Sequence, residues 1–189
     1  MSVLWLQVAL YAGWGGHTSY NDLVAAGERW HRFYSMGEVG VRLLAEKRLQ
    51  PAISVELGRF ISQDRRKGLF SQTQWSCVGV SLRLRLFKKA LSPLGELHFF
   101  RLNASIRGLE GRTLPGAPAS IATNGIGWNA GLSWRMTPFS ELSLLYLRRR
   151  PQTSFLEGVG GPTRDRIEGL LGQISLYLFA GTPNRSRFQ

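Results

Sequence analysis

TQWSCVGVSLRLRLF, residues Thr73–Phe87, alternates from Cys77 onward without a fault. Val78, Val80, Leu82, Leu84 and Leu86 fall on one face; Cys77, Gly79, Ser81, Arg83, Arg85 and Phe87 fall on the other. Successive side chains of a strand point to opposite faces, so the stretch reads as a strand with one wholly apolar face and one small-and-charged face. On a helix the same leucines would be scattered around the axis. The fold then turns on which medium each face meets. Water outside and a core inside would make a soluble barrel, whereas lipid outside and a polar lumen inside would make a membrane barrel.

Seven further segments carry a strand pattern. About Ser2–Trp14, Leu4, Leu6, Val8, Leu10 and Ala12 oppose Trp5, Gln7, Ala9, Tyr11 and Gly13. About Tyr34–Glu46, Val39, Val41, Leu43 and Ala45 oppose Glu38, Gly40, Arg42 and Glu46, and about Ala52–Ser62, Ile53, Val55, Leu57 and Ile61 oppose Ser54, Glu56, Gly58 and Phe60. The fifth strand, about Leu94–Ile106, has Glu96, His98 and Arg101 breaking both faces, and its register is not assignable. Gly125–Met136 is clean, with Ile126, Trp128, Ala130, Leu132, Trp134 and Met136 against Gly127, Asn129, Gly131, Ser133 and Arg135. Glu141–Arg149 and Ile167–Phe179 complete the set. Gly15–Phe33, Gln63–Gln72, Arg107–Asn124 and Pro151–Arg164 read as long loops, alternating with tight turns at Lys47–Pro51, Lys88–Pro93 and Thr137–Ser140. No segment reads as a helix.

Composition agrees with either medium at first sight. The 189 residues suit one closed barrel, and the hydrophobic fraction of 43% is ordinary for a globular chain. No run approaches the roughly 18 apolar residues of a transmembrane helix, but transmembrane strands hide their hydrophobicity in alternate positions. The N-terminal residues lack the positive region of a secretory signal, so an exported chain of this sequence is expected to be the mature part with a start Met added. The lone Cys77 excludes an intrachain disulfide and reads as packing on the small face of its strand. A net charge of +12 points to a polyanionic partner, either nucleic acid or phosphorylated lipid.

Three features favour the membrane. Tight turns and long loops segregate to opposite ends, as in outer-membrane barrels. The polar face is Gly, Ser and Ala with single charges, which suits the crowded interior of an eight-stranded barrel. Glu38, Arg42, Glu56, Arg83, Arg85 and Arg135 are expected to pair there as a charge network across the lumen. Finally, Trp14, Tyr34, Trp75, Phe87, Trp134, Phe139 and Phe179 lie near strand ends, where interfacial aromatic girdles belong. The expectation is an all-β, eight-stranded antiparallel up-and-down transmembrane β-barrel over residues 1–179, with a disordered tail at 180–189.

The stretch Gly125–Arg150, GIGWNAGLSWRMTPFSELSLLYLRRR, resembles the penultimate hairpin of small eight-stranded outer-membrane barrels of the OmpA-like and opacity-protein type. In those families a glycine-rich strand, a Pro-containing turn and a strand ending in Tyr plus basic residues recur. The chain departs from them in being more basic and in running on past Phe179. The resemblance implies a monomeric barrel in a Gram-negative outer membrane with a structural, adhesive or partner-binding role and a filled lumen. Outer-membrane lipid, lipopolysaccharide above all, would be its neighbour, with a protein partner reachable through the long loops.

Catalytic and ligand motifs are sparse. His17, His31 and His98 lack metal-ligand spacing, and neither a metal nor a cofactor is expected. His17 and Ser19, with Thr18 and Asp22 beside them, are the alternative: a lipid A-modifying barrel enzyme of acyltransferase or deacylase type. The deacylases carry a His-x-Ser pair near the penultimate strand, where this chain reads Leu145-Tyr146-Leu147-Arg148; no catalytic residue is therefore assigned. GWGG at Gly13–Gly16 and GVGG at Gly158–Gly161 lack the Lys-Ser/Thr and helix of a phosphate loop. A soluble basic barrel binding nucleic acid is the third alternative, unsupported by any stacking motif. The basic groups Arg65, Arg66, Lys67, Arg148, Arg149, Arg150, Arg164 and Arg166 all fall at the long-loop end, where they are expected to form a lipid- or anion-binding rim.

Overall fold

The computed structural model describes residues 8–21, 34–45, 47–64, 69–87, 90–108, 120–152 and 165–178. They form eight strands: β1 Val8–Asn21, β2 Tyr34–Leu43, β3 Leu49–Asp64, β4 Leu69–Arg85, β5 Leu91–Gly108, β6 Ser120–Thr137, β7 Ser140–Pro151 and β8 Asp165–Leu178. Each strand pairs antiparallel with the next, and β1 closes on β8 through a register running from Val8↔Leu178 to Asn21↔Asp165. Closure leaves no edge strand to template aggregation where the pairing is complete.

The period-two pattern decides what lies inside. Along β4, Val78, Val80, Leu82 and Leu84 point outward with 42–54% of their surface exposed, while Cys77, Ser81, Arg83 and Arg85 are buried. The same alternation puts Ile53, Val55 and Leu57 of β3, Leu97 and Phe99 of β5, Leu132 and Trp134 of β6, Leu144 of β7, and Ile174 and Leu176 of β8 on the outer wall. Water-soluble monomers rarely expose apolar patches beyond a few hundred Å2. A wall that is apolar all round is the wall of a barrel embedded in hydrocarbon.

Strand lengths depart from the sequence pattern at the long-loop end. The first long loop was expected to begin at Gly15, yet β1 pairs with β8 as far as Asn21. A Cβ on Gly15 would lie 2.0 Å from the Leu170 carbonyl oxygen, so glycine here serves close approach of two backbones and not a turn. Gln63–Gln72 likewise is mostly strand: Asp64 pairs with Leu69, leaving residues 65–68 to connect β3 and β4. That connection is therefore short, and only those spanning 22–33, 109–119 and 152–164 are long. Polar alternation continues the ladder beyond the apolar belt, which is why hydropathy ends the strand early. β5, whose register the sequence left open, turns Leu94, Glu96, His98, Phe100, Leu102 and Ala104 inward. The expected tail at 180–189 lies outside the described residues.

The aromatic girdle is partly reassigned. Trp14, Phe87, Trp134 and Phe139 are exposed on the outer surface, but Trp75 is buried inside and Tyr34 packs against the same internal cluster. Trp75 sits on the inward parity of β4, and Gly58 across the ladder leaves room for its ring. Phe179 lies outside the described residues.

Candidate functional site: the filled lumen and the outer wall

Four buried glutamates (Glu38, Glu56, Glu96 and Glu141) meet four buried arginines (Arg42, Arg83, Arg85 and Arg149) inside the barrel. Arg83 is the hub. Its Nε lies 3.2 Å from Glu96 Oε1 and its Nη1 3.4 Å from Glu141 Oε1, while Nη2 donates to Gln173 Oε1 at 2.6 Å. Gln173 passes the link on by donating Nε2 to Glu38 Oε2 at 2.5 Å. Arg85 and the Tyr177 hydroxyl both reach Glu141 Oε2, at 3.2 and 2.7 Å. Arg42 donates to Ser175 Oγ at 3.1 Å and lies 4.5 Å above the Tyr11 ring.

A second centre surrounds Arg149. Its guanidinium clasps Glu56 through Nε at 3.2 Å and Nη2 at 2.5 Å, and Nη1 donates to Asn129 Oδ1 at 2.7 Å. Asn129 in turn donates Nδ2 to Glu96 Oε2 at 2.8 Å, joining the two centres. His98 stands between them, 3.4 Å from Glu96 and 3.9 Å from Glu56. Taking a charge out of water costs several kcal/mol, and only paired, hydrogen-bonded geometry of this kind offsets it. Toward the long-loop end the lining turns apolar, with Met36, Trp75, Leu102, Ala104 and Ile121 in one cluster and the His17 ring 5.5 Å from that of Trp75. Side chains thus occupy the interior, as eight-strand geometry demands.

The expected lumen residues Glu38, Arg42, Glu56, Arg83 and Arg85 are all buried in this interior. Arg135 lies at the short-turn end instead, donating to the Thr137 and Pro138 carbonyls at 3.4 and 2.5 Å with its guanidinium 4.0 Å over Tyr177. Sequence reasoning missed Glu96, Glu141, Asn129, His98 and Gln173. Glu141 and Ser143 share the inward parity of β7, a signal that extending the alternation by one strand end would have exposed.

The expected rim divides. Arg149 is a correction: it is buried in the lumen against Glu56, because consecutive residues of a strand cannot share a face. Arg148 and Arg150, its neighbours, face outward. Arg148 Nε and Arg166 Nε both approach Glu168 Oε1, at 3.1 and 2.9 Å. Arg65, Arg66, Lys67 and Arg164 lie outside the described residues. Three outward arginines went unremarked as rim candidates: Arg59 on β3, and Arg101 and Arg107 on β5, all exposed. The His17 ring is wholly buried, packed against Trp75 on the inside of the wall. Among the described residues no cluster of His, Cys, Asp or Glu has metal-binding geometry.

No family model and no curated protein sequence matches the chain. Solved structures do. Neisserial surface protein A superposes with a TM-score of 0.65 at 13% identity, over 89% of this chain and 96% of that one. Ail, the attachment invasion locus protein of Yersinia pestis, in complex with the heparin analogue sucrose octasulfate, gives 0.58 at 12% identity over 92% and 99%. The outer membrane protein OprG from Pseudomonas aeruginosa gives 0.57 at 9% identity over 93% and 97%. Together with the closed ladder and the apolar wall, these likenesses give the chain the fold of the small eight-stranded outer-membrane barrels, an antiparallel up-and-down transmembrane β-barrel.

Proposed function

We propose that the chain is a monomeric barrel of the Gram-negative outer membrane with a structural or adhesive role, closed to solutes and engaging anionic partners at its long-loop end. The observation that carries this is an apolar outer wall around an interior of neutralised charge. The wall commits the barrel to a bilayer, and the filled lumen removes the pore that a channel needs.

Charge supports the anionic partner. Arg59, Arg101, Arg107 and Arg150 are exposed on the outer wall and have no ion pair among the described residues. Unpaired surface charges of one sign add little to stability and attract counter-charges. The phosphates of lipopolysaccharide are the nearest candidates, and the long loops leave surface for a protein partner. Ail's capture of a polysulfated sugar supports a polyanion as the kind of ligand this fold can present for.

Expression with a signal sequence, followed by density separation of the two membranes, tests the location. The reading expects the folded barrel in the outer-membrane fraction, with a heat-sensitive shift in gel mobility. Recovery of folded, detergent-free protein from the soluble fraction would refute it.

A further inference from the structure

Three outward residues stand in register across three strands at the upper border of the apolar belt. Trp128 of β6 pairs with Arg148 of β7, and Arg148 pairs with Glu168 of β8. One outward step toward the short turns the row reads Ala130, Tyr146, Leu170, and below it stand Leu132 and Leu144. One outward step toward the long loops stand Ile126, Arg150 and Arg166. The site is thus a small field with aromatic and aliphatic surface below and guanidinium groups above.

Its chemistry is specific. Glu168 Oε1 is shared by two guanidiniums, each approaching through Nε. The carboxylate holds Arg148 at the wall, with 22% of the arginine side chain still exposed. With Arg150 one step above, three guanidiniums gather on this part of the wall, donors of the kind that take up a phosphate. Beside them the Trp128 and Tyr146 rings lie 5.5 Å apart at 49°, exposed by 41% and 37%. Such a pair offers apolar faces to the C–H face of a pyranose, with alkyl chains continuing down over Leu144 and Leu170.

We propose that the outer wall formed by Trp128, Tyr146, Arg148, Arg150, Arg166 and Glu168 binds the headgroup of a phosphorylated glycolipid. The arginines take the phosphate, the aromatic pair takes the sugar ring, and the apolar belt takes the acyl chains. The proposal rests on the reading of a membrane barrel whose long-loop end lies in the outer leaflet, and it deepens that reading by naming the site. A phosphodiester lipid satisfies the arginines alone; only a glycolipid uses both halves of the field.

The test is native mass spectrometry of the full chain refolded in detergent, with three probes: a diphosphorylated acylated glucosamine disaccharide, its dephosphorylated form, and phosphatidylglycerol. The diphosphorylated glycolipid is expected to be retained about tenfold better than either other probe, a difference of roughly 1.4 kcal/mol. Arg148→Gln should remove about that tenfold preference, Arg148→Lys should restore part of it, and Trp128→Leu should weaken glycolipid retention while leaving phosphatidylglycerol unchanged. Equal retention of the dephosphorylated form, or retention unaffected by Arg148→Gln, would overturn the phosphate site. Equal retention of phosphatidylglycerol with no effect of Trp128→Leu would overturn the sugar assignment and leave a generic anionic belt. The same samples report gel mobility with and without heating. A wild-type chain with no heat-sensitive folded form would count against the membrane-barrel reading itself, not against the site.

Discussion

Severing the Arg149–Glu56 clasp should cost more than any exposed ion pair could. Both side chains are 2% exposed, and the guanidinium uses Nε and Nη2 on the carboxylate while Nη1 is held by Asn129. Glu56→Gln leaves a buried guanidinium facing a neutral amide, and removing one partner of a buried pair costs about 3–5 kcal/mol. Arg149→Met strands Glu56, but His98 lies 3.9 Å from that carboxylate, so its cost should fall at the lower end of the same range. The double variant removes both charges and leaves apolar and amide groups of similar bulk. Its loss should be smaller than the sum of the singles by about 1–3 kcal/mol, the coupling of residues in direct contact. Equilibrium urea unfolding from lipid vesicles, followed by tryptophan emission, measures all four corners of the cycle. Single losses below about 1 kcal/mol that simply add would mean a hydrated lumen. Water, and not packed side chains, would then fill the barrel.

Other perturbations separate wall, lumen and backbone. Leu82→Arg, on the outer wall, should lose about 2–4 kcal/mol in the same vesicle assay, whereas Gln74→Lys, outward on the same strand but nearer the long-loop end, should change stability by less than about 0.5 kcal/mol. Gly131→Ala places a Cβ 2.0 Å from the Leu144 carbonyl oxygen and should lose about 1–3 kcal/mol, while Gly95→Ala meets nothing within 4 Å and should be near neutral. Single-channel recording should show small, rare openings; a stable large conductance from the monomer would contradict side-chain filling of the lumen.

How much of this was legible follows from what alternation can encode. β4 and β6 were readable because their outward faces are unbroken apolar runs over Val78–Leu86 and Ile126–Met136, and a one-residue slip would put all of them inside. β5 was not, since its inward face changes character along its length: Glu96 and His98 belong to the ionic layer, and Phe100 and Leu102 to the apolar cluster above it. A single polarity rule cannot describe a strand that crosses two internal layers. Arg149 was misplaced for a related reason. Three consecutive arginines read as one basic group, but the strand continues through them and sends the middle one inward. The glycines of β1 misled in the opposite direction, because Gly15 signals contact between backbones as readily as a turn, and only the partner strand distinguishes the two.

The distribution of charge gives the barrel a direction. Among the described residues the buried set is balanced, four carboxylates against four guanidiniums, so these eight groups contribute nothing to the net +12 of the chain. On the outer wall the side chains nearest the short turns include Leu43, Leu49, Leu84, Leu91, Met136, Leu142 and Leu178. At the other border, arginine takes the next outward position after the last large apolar residue on two strands: Arg101 after Phe99 and Arg148 after Tyr146. A guanidinium at the edge of hydrocarbon can extend its head into the headgroup layer, and it gains most where that layer carries phosphate. Reversing the barrel in the membrane would exchange those contacts for whatever anions the opposite leaflet offers. On the proposed placement of the long-loop end in the outer leaflet, the arginine border would favour that orientation by the same electrostatic difference.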